Sequence, residues 1–180
     1  PDGDHLAVLT SGGAQVIDPE STEILLTIPD MVFSLAWHPD GTRLAGAVDL
    51  GDEVGQHVRV WDAFTGEVIN TYFGMDSYPY WSDLSWSPDG SELIGLTSVP
   101  AILHVWDVET GELLSDVDML RGEFEAYFDM WWIEDGQQLI TISRSVSPPG
   151  GSSLNIWNTA DWKIEDQGFY FESVQGIAKH

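Results

Sequence analysis

Five histidines and thirty carboxylates are the side chains of this 180-residue sequence best equipped to move protons or hold metals. Their spacing speaks against both. His5, His38, His57, His104 and His180 fall in no H-x-x-H or H-E-x-x-H arrangement, the spacing that sets two imidazoles around zinc on one helical face. His38 precedes a turn proline in WHPDG, while His57 and His104 lie in apolar runs, so each reads as a structural histidine. There is no cysteine, which excludes disulfides, thiolate zinc sites and a cysteine nucleophile. No G-x-S-x-G nucleophile elbow occurs. The glycine-rich SGGAQ at 11–15 lacks the following helix that a phosphate cradle needs. Asp49, Asp52 and Glu53 offer oxygen ligands suited to Ca²⁺, but without the alternating D-x-D-x-D-G order they read as a solvated acidic run. At this acidity neighbouring carboxylates are unavoidable and do not indicate glycoside hydrolysis. The expectation is a chain without catalytic residues, bound metal or cofactor.

The charge narrows the partners. Thirty Asp and Glu face six Lys and Arg, a formal −24. Such a surface repels phosphate backbones and anionic lipid, so neither nucleic acid nor membrane insertion is expected; a basic protein partner, metal ions or a salty environment suits it, beside the plainer reading that the acid keeps the protein soluble. No stretch approaches the length of uncharged apolar sequence that spans a bilayer. At 43% hydrophobic and 12% aromatic residues, with nine tryptophans, the chain has the makings of a packed core. It opens on Pro1-Asp2-Gly3 without an initiator methionine, and is expected to be an excerpt of a longer protein.

The elements that would position these side chains repeat. A turn signature recurs as PDG (1–3), HPDG (38–41), SPDG (87–90) and IEDG (133–136). A second signature follows each: QVIDPESTE (15–23), RVWDAFTGE (59–67), HVWDVETGE (104–112) and NIWNTADWK (155–163). Each unit holds short apolar runs, as in VFSLAW, RLAGAV, HVRVW and EVINTYF between 32 and 73. These suit strands and are too short for helices. The P-D-G and T-G-E turns supply a preset φ, an Asp that bonds its own backbone and a glycine tolerant of positive φ. Each unit is therefore a four-stranded antiparallel meander, apolar on both faces. Stacking such sheets around an axis buries both faces, which predicts an all-β fold, a β-propeller of about four blades, either closed on themselves or part of a larger ring. The units are approximately 1–38, 39–87, 88–133 and 134–180.

V-W-D at 60–62 and 105–107, each closing a third strand and followed by T-G-E, resembles the WD-repeat (WD-40) family, as does S-W-S-P-D-G at 85–90. The resemblance covers essentially the whole chain. It implies that the four blades form an open arc of a larger propeller, with structural roles for Trp61, Asp62, Trp106, Asp107 and Trp157, and a scaffold that binds proteins. The chain departs from the family in lacking the Gly-His pair and the Asp before the third strand, so the indoles are expected to pack without the full hydrogen-bonded network. Ile17 replaces the tryptophan in the first unit and Asn158 the aspartate in the fourth. The periplasmic propellers of the TolB type share the SPDG turn. They suggest an alternative, an accessory or sensor propeller of a larger bacterial surface or periplasmic protein that binds carbohydrate or cations.

Every insertion falls in the fourth-to-first and second-to-third connections: 49–56, 74–81, 118–127 and 145–153. Long loops gathered at one end of a rigid scaffold are where binding usually resides. Their aromatic and acidic residues, Asp49, Asp52, Glu53, Asp76, Tyr78, Tyr80, Trp81, Glu123, Phe124 and Glu125, are the expected contacts to a protein partner. Trp81 and Tyr127 have a competing reading as core residues that open first strands. A catalytic propeller would draw on carboxylates at the channel, for which the first strands offer Asp83 and Asp129 alone.

Overall fold

The computed structural model describes residues 3–51, 56–72, 81–97, 101–119, 125–145 and 151–171. The fold is all-β, with fifteen strands in four antiparallel sheets among the described residues. Sheet I has three strands, β1 (Leu6–Thr10), β2 (Gly13–Ile17) and β3 (Ile24–Ile28). Sheet II runs β4 (Met31–Trp37), β5 (Arg43–Asp49), β6 (Gln56–Asp62) and β7 (Val68–Tyr72). Sheet III runs β8 (Trp81–Trp86), β9 (Glu92–Thr97), β10 (Ile102–Asp107) and β11 (Leu113–Asp118). Sheet IV runs β12 (Glu125–Ile133), β13 (Gln138–Ser145), β14 (Gly151–Asn158) and β15 (Lys163–Phe171). Strand order within each sheet is sequential, the meander that tight turns dictate. No helix among the described residues is long and apolar enough to cross a membrane.

The turns explain the meanders. Asp62 Oδ1 accepts the backbone N–H groups of Phe64 and Thr65 at 2.9 and 2.8 Å, and Gly66 donates to the Asp62 carbonyl at 2.9 Å. Asp107 does the same for Thr110 and Gly111. Asp18 accepts from Glu20 and Ser21, and Asn158 from Ala160. The residue at or just past the end of β2, β6, β10 and β14, aspartate in the first three and asparagine in the last, is thus a turn cap. At the left-handed position of this turn Gly66 has φ 75°, but sheet I places Thr22 there at φ 61° and sheet IV places Trp162 at φ 52°.

Three cores lie between successive sheets. Ala14, Val16 and Ile28 of sheet I meet Val32, Leu44, Val48 and Trp61 of sheet II. Ala45, Val58, Val60 and Tyr72 of sheet II meet Trp81, Leu84, Leu93 and Trp106 of sheet III. Leu96, Leu103, Val105 and Met119 of sheet III meet Met130, Leu139 and Trp157 of sheet IV. Each third-strand tryptophan therefore packs toward the preceding sheet, with at most 3% of its surface exposed. The space beneath it comes from the neighbouring strand. A Cβ on Gly46 would lie 2.9 Å from Trp61, and one on Gly95 would lie 3.0 Å from Trp106 and 2.6 Å from Trp81. In sheet IV the corresponding position holds Thr141, whose hydroxyl accepts the Trp157 indole N–H at 2.8 Å. In sheets II and III a glycine thus lies beneath the indole, and in sheet IV a threonine that bonds it.

The inner strands join the sheets. β4 packs on β1 and β2, β8 on β4 and β5, and β12 on β8 and β9. Sheet IV pairs with no strand of sheet I among the described residues, so the arc is open.

Candidate interaction face

Antiparallel order places the β1–β2, β3–β4, β5–β6, β7–β8, β9–β10, β11–β12 and β13–β14 connections at one end of the arc and the short capped turns at the other. The connections at the first end include 50–55, 73–80, 98–101, 119–124 and 146–150. In sheet I the same end is nearly bare, with only Ser11–Gly12 between β1 and β2 and Pro29–Asp30 between β3 and β4. Strands take over part of the expected loops: Glu125 to Tyr127 lie in β12, and Gly151 to Ser153 in β14.

Of the expected contact residues, Asp49 closes β5 and is exposed, its Oδ1 accepting the Gly51 N–H at 2.8 Å. Asp52, Glu53, Asp76, Tyr78, Tyr80, Glu123 and Phe124 lie outside the described residues, and Glu125 is placed as the first residue of β12. Trp81 needs a correction. It opens β8 with 6% of its surface exposed, within the core between sheets II and III. Its indole N–H donates to the Gln56 carbonyl at 3.3 Å and its backbone N–H to Gln56 Oε1 at 3.1 Å. An apolar residue at the start of a first strand is drawn into the inter-sheet core, and Trp81 joins two sheets there instead of anchoring a partner.

The groups considered for a channel site are tied to backbone. Asp83 accepts the Leu84 N–H at 2.9 Å through Oδ1 and reaches across to the Met130 N–H at 3.2 Å through Oδ2. Asp129 accepts the same Met130 N–H at 3.0 Å. Both aspartates follow a β-bulge that displaces Ser82 in β8 and Phe128 in β12, and β4 has the equivalent bulge at Phe33. A bulge places one extra residue against its partner strand and re-aims its neighbours. The repeat pattern alone carried no sign of these bulges.

His180 lies outside the described residues, and the other four histidines pack within the fold or against its turns. His104 is 2% exposed, packed between Trp81 and Trp106, and its Nδ1 lies 2.5 Å from Asp116 Oδ1. His57 is fully buried, and His5 packs edge-on against Phe64. His38 sits in the short-turn end, its Nδ1 2.8 Å from Asp40 and its ring edge-on to Trp86. Burial opposes charge on Asp40, but the Thr42 N–H and hydroxyl, with His38 and Arg43, outweigh it and hold that carboxyl well below the usual range. At the same end a cleft of about 160 Å³ runs between Glu92 of sheet III and Trp132 of sheet IV. Burial, then the charges of Asp89 and Asp107, push the Glu92 carboxyl up. Among the described residues no three His, Asp or Glu side chains are grouped to hold a metal ion. Arg59 of β6 reaches the connection between sheets I and II, where it meets Asp30 at 3.0 Å.

These stacked antiparallel meanders, three of four strands and one of three, bound through their inner strands, define a β-propeller arc. No protein-family model matches the chain. Over 119 residues, 66% of its length, it is 24% identical to pre-mRNA-processing factor 19 of Schizosaccharomyces pombe, of which it spans 23%. Its fold is similar to that of Kuenenia stuttgartiensis hydrazine synthase, with a TM-score of 0.75, 19% identity and coverage of 92% of this chain and 46% of that one. It is also similar to a chain of the mitotic checkpoint complex, with a TM-score of 0.70, 20% identity and coverage of 91% and 47%. The chain thus spans under half of each of these three, and at these identities the structural likeness concerns the fold.

Proposed function

We propose that this chain is part of a non-catalytic propeller scaffold of the WD-repeat type that holds a protein partner on the end carrying its long connections. The observation that carries the reading is topological. Sequential antiparallel strands send every long connection to one end, above sheets locked together by Trp61, Trp106 and Trp157. A rigid frame lowers the ordering cost of binding, and loops on it can vary without unfolding it. Support comes also from the sequence relative, named for pre-mRNA processing, and from the structural neighbour in a multiprotein checkpoint assembly. A partner of basic character suits the −24 charge. Tyr78, Tyr80 and Phe124 are its proposed aromatic anchors, and Asp49, Asp52, Glu53, Asp76, Glu123 and Glu125 its acidic rim.

The test is partner capture by the full-length protein from a cross-linked native extract, with Tyr78, Tyr80 and Phe124 all replaced by Ala. Loss of specific partners with an unchanged melting curve is the expected result. Retention of the same partners by the triple variant would move binding to another surface.

A further inference from the structure

The outermost strand of every sheet carries a β-bulge at the same place. The register of β2 with β3 passes from Val16↔Leu26 to Ile17↔Ile24, which leaves Leu25 as the extra residue. In β7 it is Ile69, in β11 Leu114 and in β15 Glu165. A bulge on an outer strand bends the edge away from pairing, which accounts for its presence. It does not account for the side chains it presents. In sheet IV the bulged residue is a carboxylate that accepts hydrogen bonds from Gln138 and Asn158 of its own sheet. In the other three it is aliphatic and about half exposed.

These three residues are part of a band. Ile24, Leu25, Phe64, Val68, Ile69 and Leu114 are each between 46% and 58% exposed. The segments that carry these side chains adjoin from sheet to sheet, because the capped turn of one sheet rests on the outer strand of the one before. A Cβ on Gly66 would touch Leu26 at 2.9 Å, and one on Gly111 would touch Asn70 at 2.8 Å. The segments that form it, 18–28, 62–72 and 107–118, hold ten Asp and Glu and no Lys or Arg.

We infer that this outer rim of sheets I to III is a second docking surface, for a cationic protein segment with an apolar face. Aliphatic side chains on segments rich in carboxylates and without lysine or arginine attract Lys and Arg at the border and leave apolar area to be covered at the centre. A second copy of the chain is opposed by its own −24 charge. The surface is distinct from the proposed loop face, and variants in either leave the other intact.

The probe is a fluorescein-labelled amphipathic peptide of Leu and Lys, titrated into the 180-residue chain and followed by anisotropy. Binding that weakens as salt rises is expected. Ile69→Ser with Leu114→Ser should weaken it by about tenfold, as two half-exposed aliphatic contacts are lost. Glu165→Leu extends the apolar row into sheet IV and should tighten binding, a readout that survives if the serine variant folds poorly. A peptide of Lys and Ser with equal charge should bind far more weakly. Equal binding of that peptide, or of the serine variant, would reduce the effect to bulk charge and overturn the inference. So would sedimentation showing a dimer of the chain that the serine variant dissolves, since the rim would then be a self-contact.

Discussion

His38, in the turn between β4 and β5, directs Nε2 at the carbonyl of Gly90 in the equivalent turn of the next sheet, 3.1 Å away. The two residues are 52 positions apart, and each comes from a local turn motif that gives no hint of the other. Gly90 is required on two grounds: its φ is 75°, and a Cβ there would lie 2.2 Å from His38 Nε2. His38→Ala removes the bond and the contact with Trp86, leaving a gap between sheets II and III. A loss of about 2–4 kcal/mol in urea unfolding at neutral pH is expected. A change below experimental error would show that the turns are not coupled.

The buried indoles should account for the largest single losses. Trp106→Ala empties the contact with sheet II and should cost about 3–5 kcal/mol. Gly95→Ala, although a small change, forces a methyl against two indoles and should cost about 1–3 kcal/mol. Thr141→Val leaves the Trp157 N–H without its acceptor at nearly constant volume, a loss of about 1–3 kcal/mol. Calorimetric melting of the three variants ranks them, and a Thr141 effect as large as the Trp106 effect would contradict the ranking.

Acid should unlock the turns. The Ser21, Thr65 and Thr110 backbone N–H groups hold the carboxyls of Asp18, Asp62 and Asp107 below their ordinary value, and the Ser87 hydroxyl does so for Asp89. A carboxyl lowered by folding stabilises the native state above its unfolded value, and that contribution disappears as pH falls through the folded value. These turns therefore support the fold fully at neutral pH and lose their hold below about pH 4. Relief of the repulsion within a −24 chain works in the opposite direction over the same range, so the parent must be compared with a variant. Asp62→Asn with Asp107→Asn keeps an Oδ1 acceptor, as Asn158 does in sheet IV, but removes the titration. Its urea midpoint should match the parent at neutral pH and fall less steeply in acid. Parallel pH curves would refute the assignment.

Strain in the first sheet should be removable. Thr22 is β-branched and holds φ 61° at a position where sheets II and III use glycine. Thr22→Gly relieves a conformation that costs an L-residue about 1–2 kcal/mol, less the extra entropy of the unfolded glycine. A net rise in melting temperature is expected, whereas Gly66→Thr should lower it.

The repeat of turn and strand markers at a near-constant interval was sufficient to read the all-β class, the meanders and the stacked arc. Each of those follows from local chemistry: apolar runs of strand length, turn aspartates that cap their own backbone, and faces that only neighbouring copies can cover. The third-strand tryptophans were legible as packing residues for the same reason. The partner of each was not, because Gly46, Gly95 and Thr141 become significant only when strands pair in one register and sheets meet at one depth. Trp81 shows the limit directly: its sequence neighbours suggest a loop, but burial is decided by the Gln56 carbonyl and the Trp106 ring, which belong to other strands. The bulges that expose Leu25, Ile69 and Leu114 are likewise invisible in the chain. They arise where the twist of an outer strand must be reconciled with a paired neighbour, a condition that exists only in the assembled sheet.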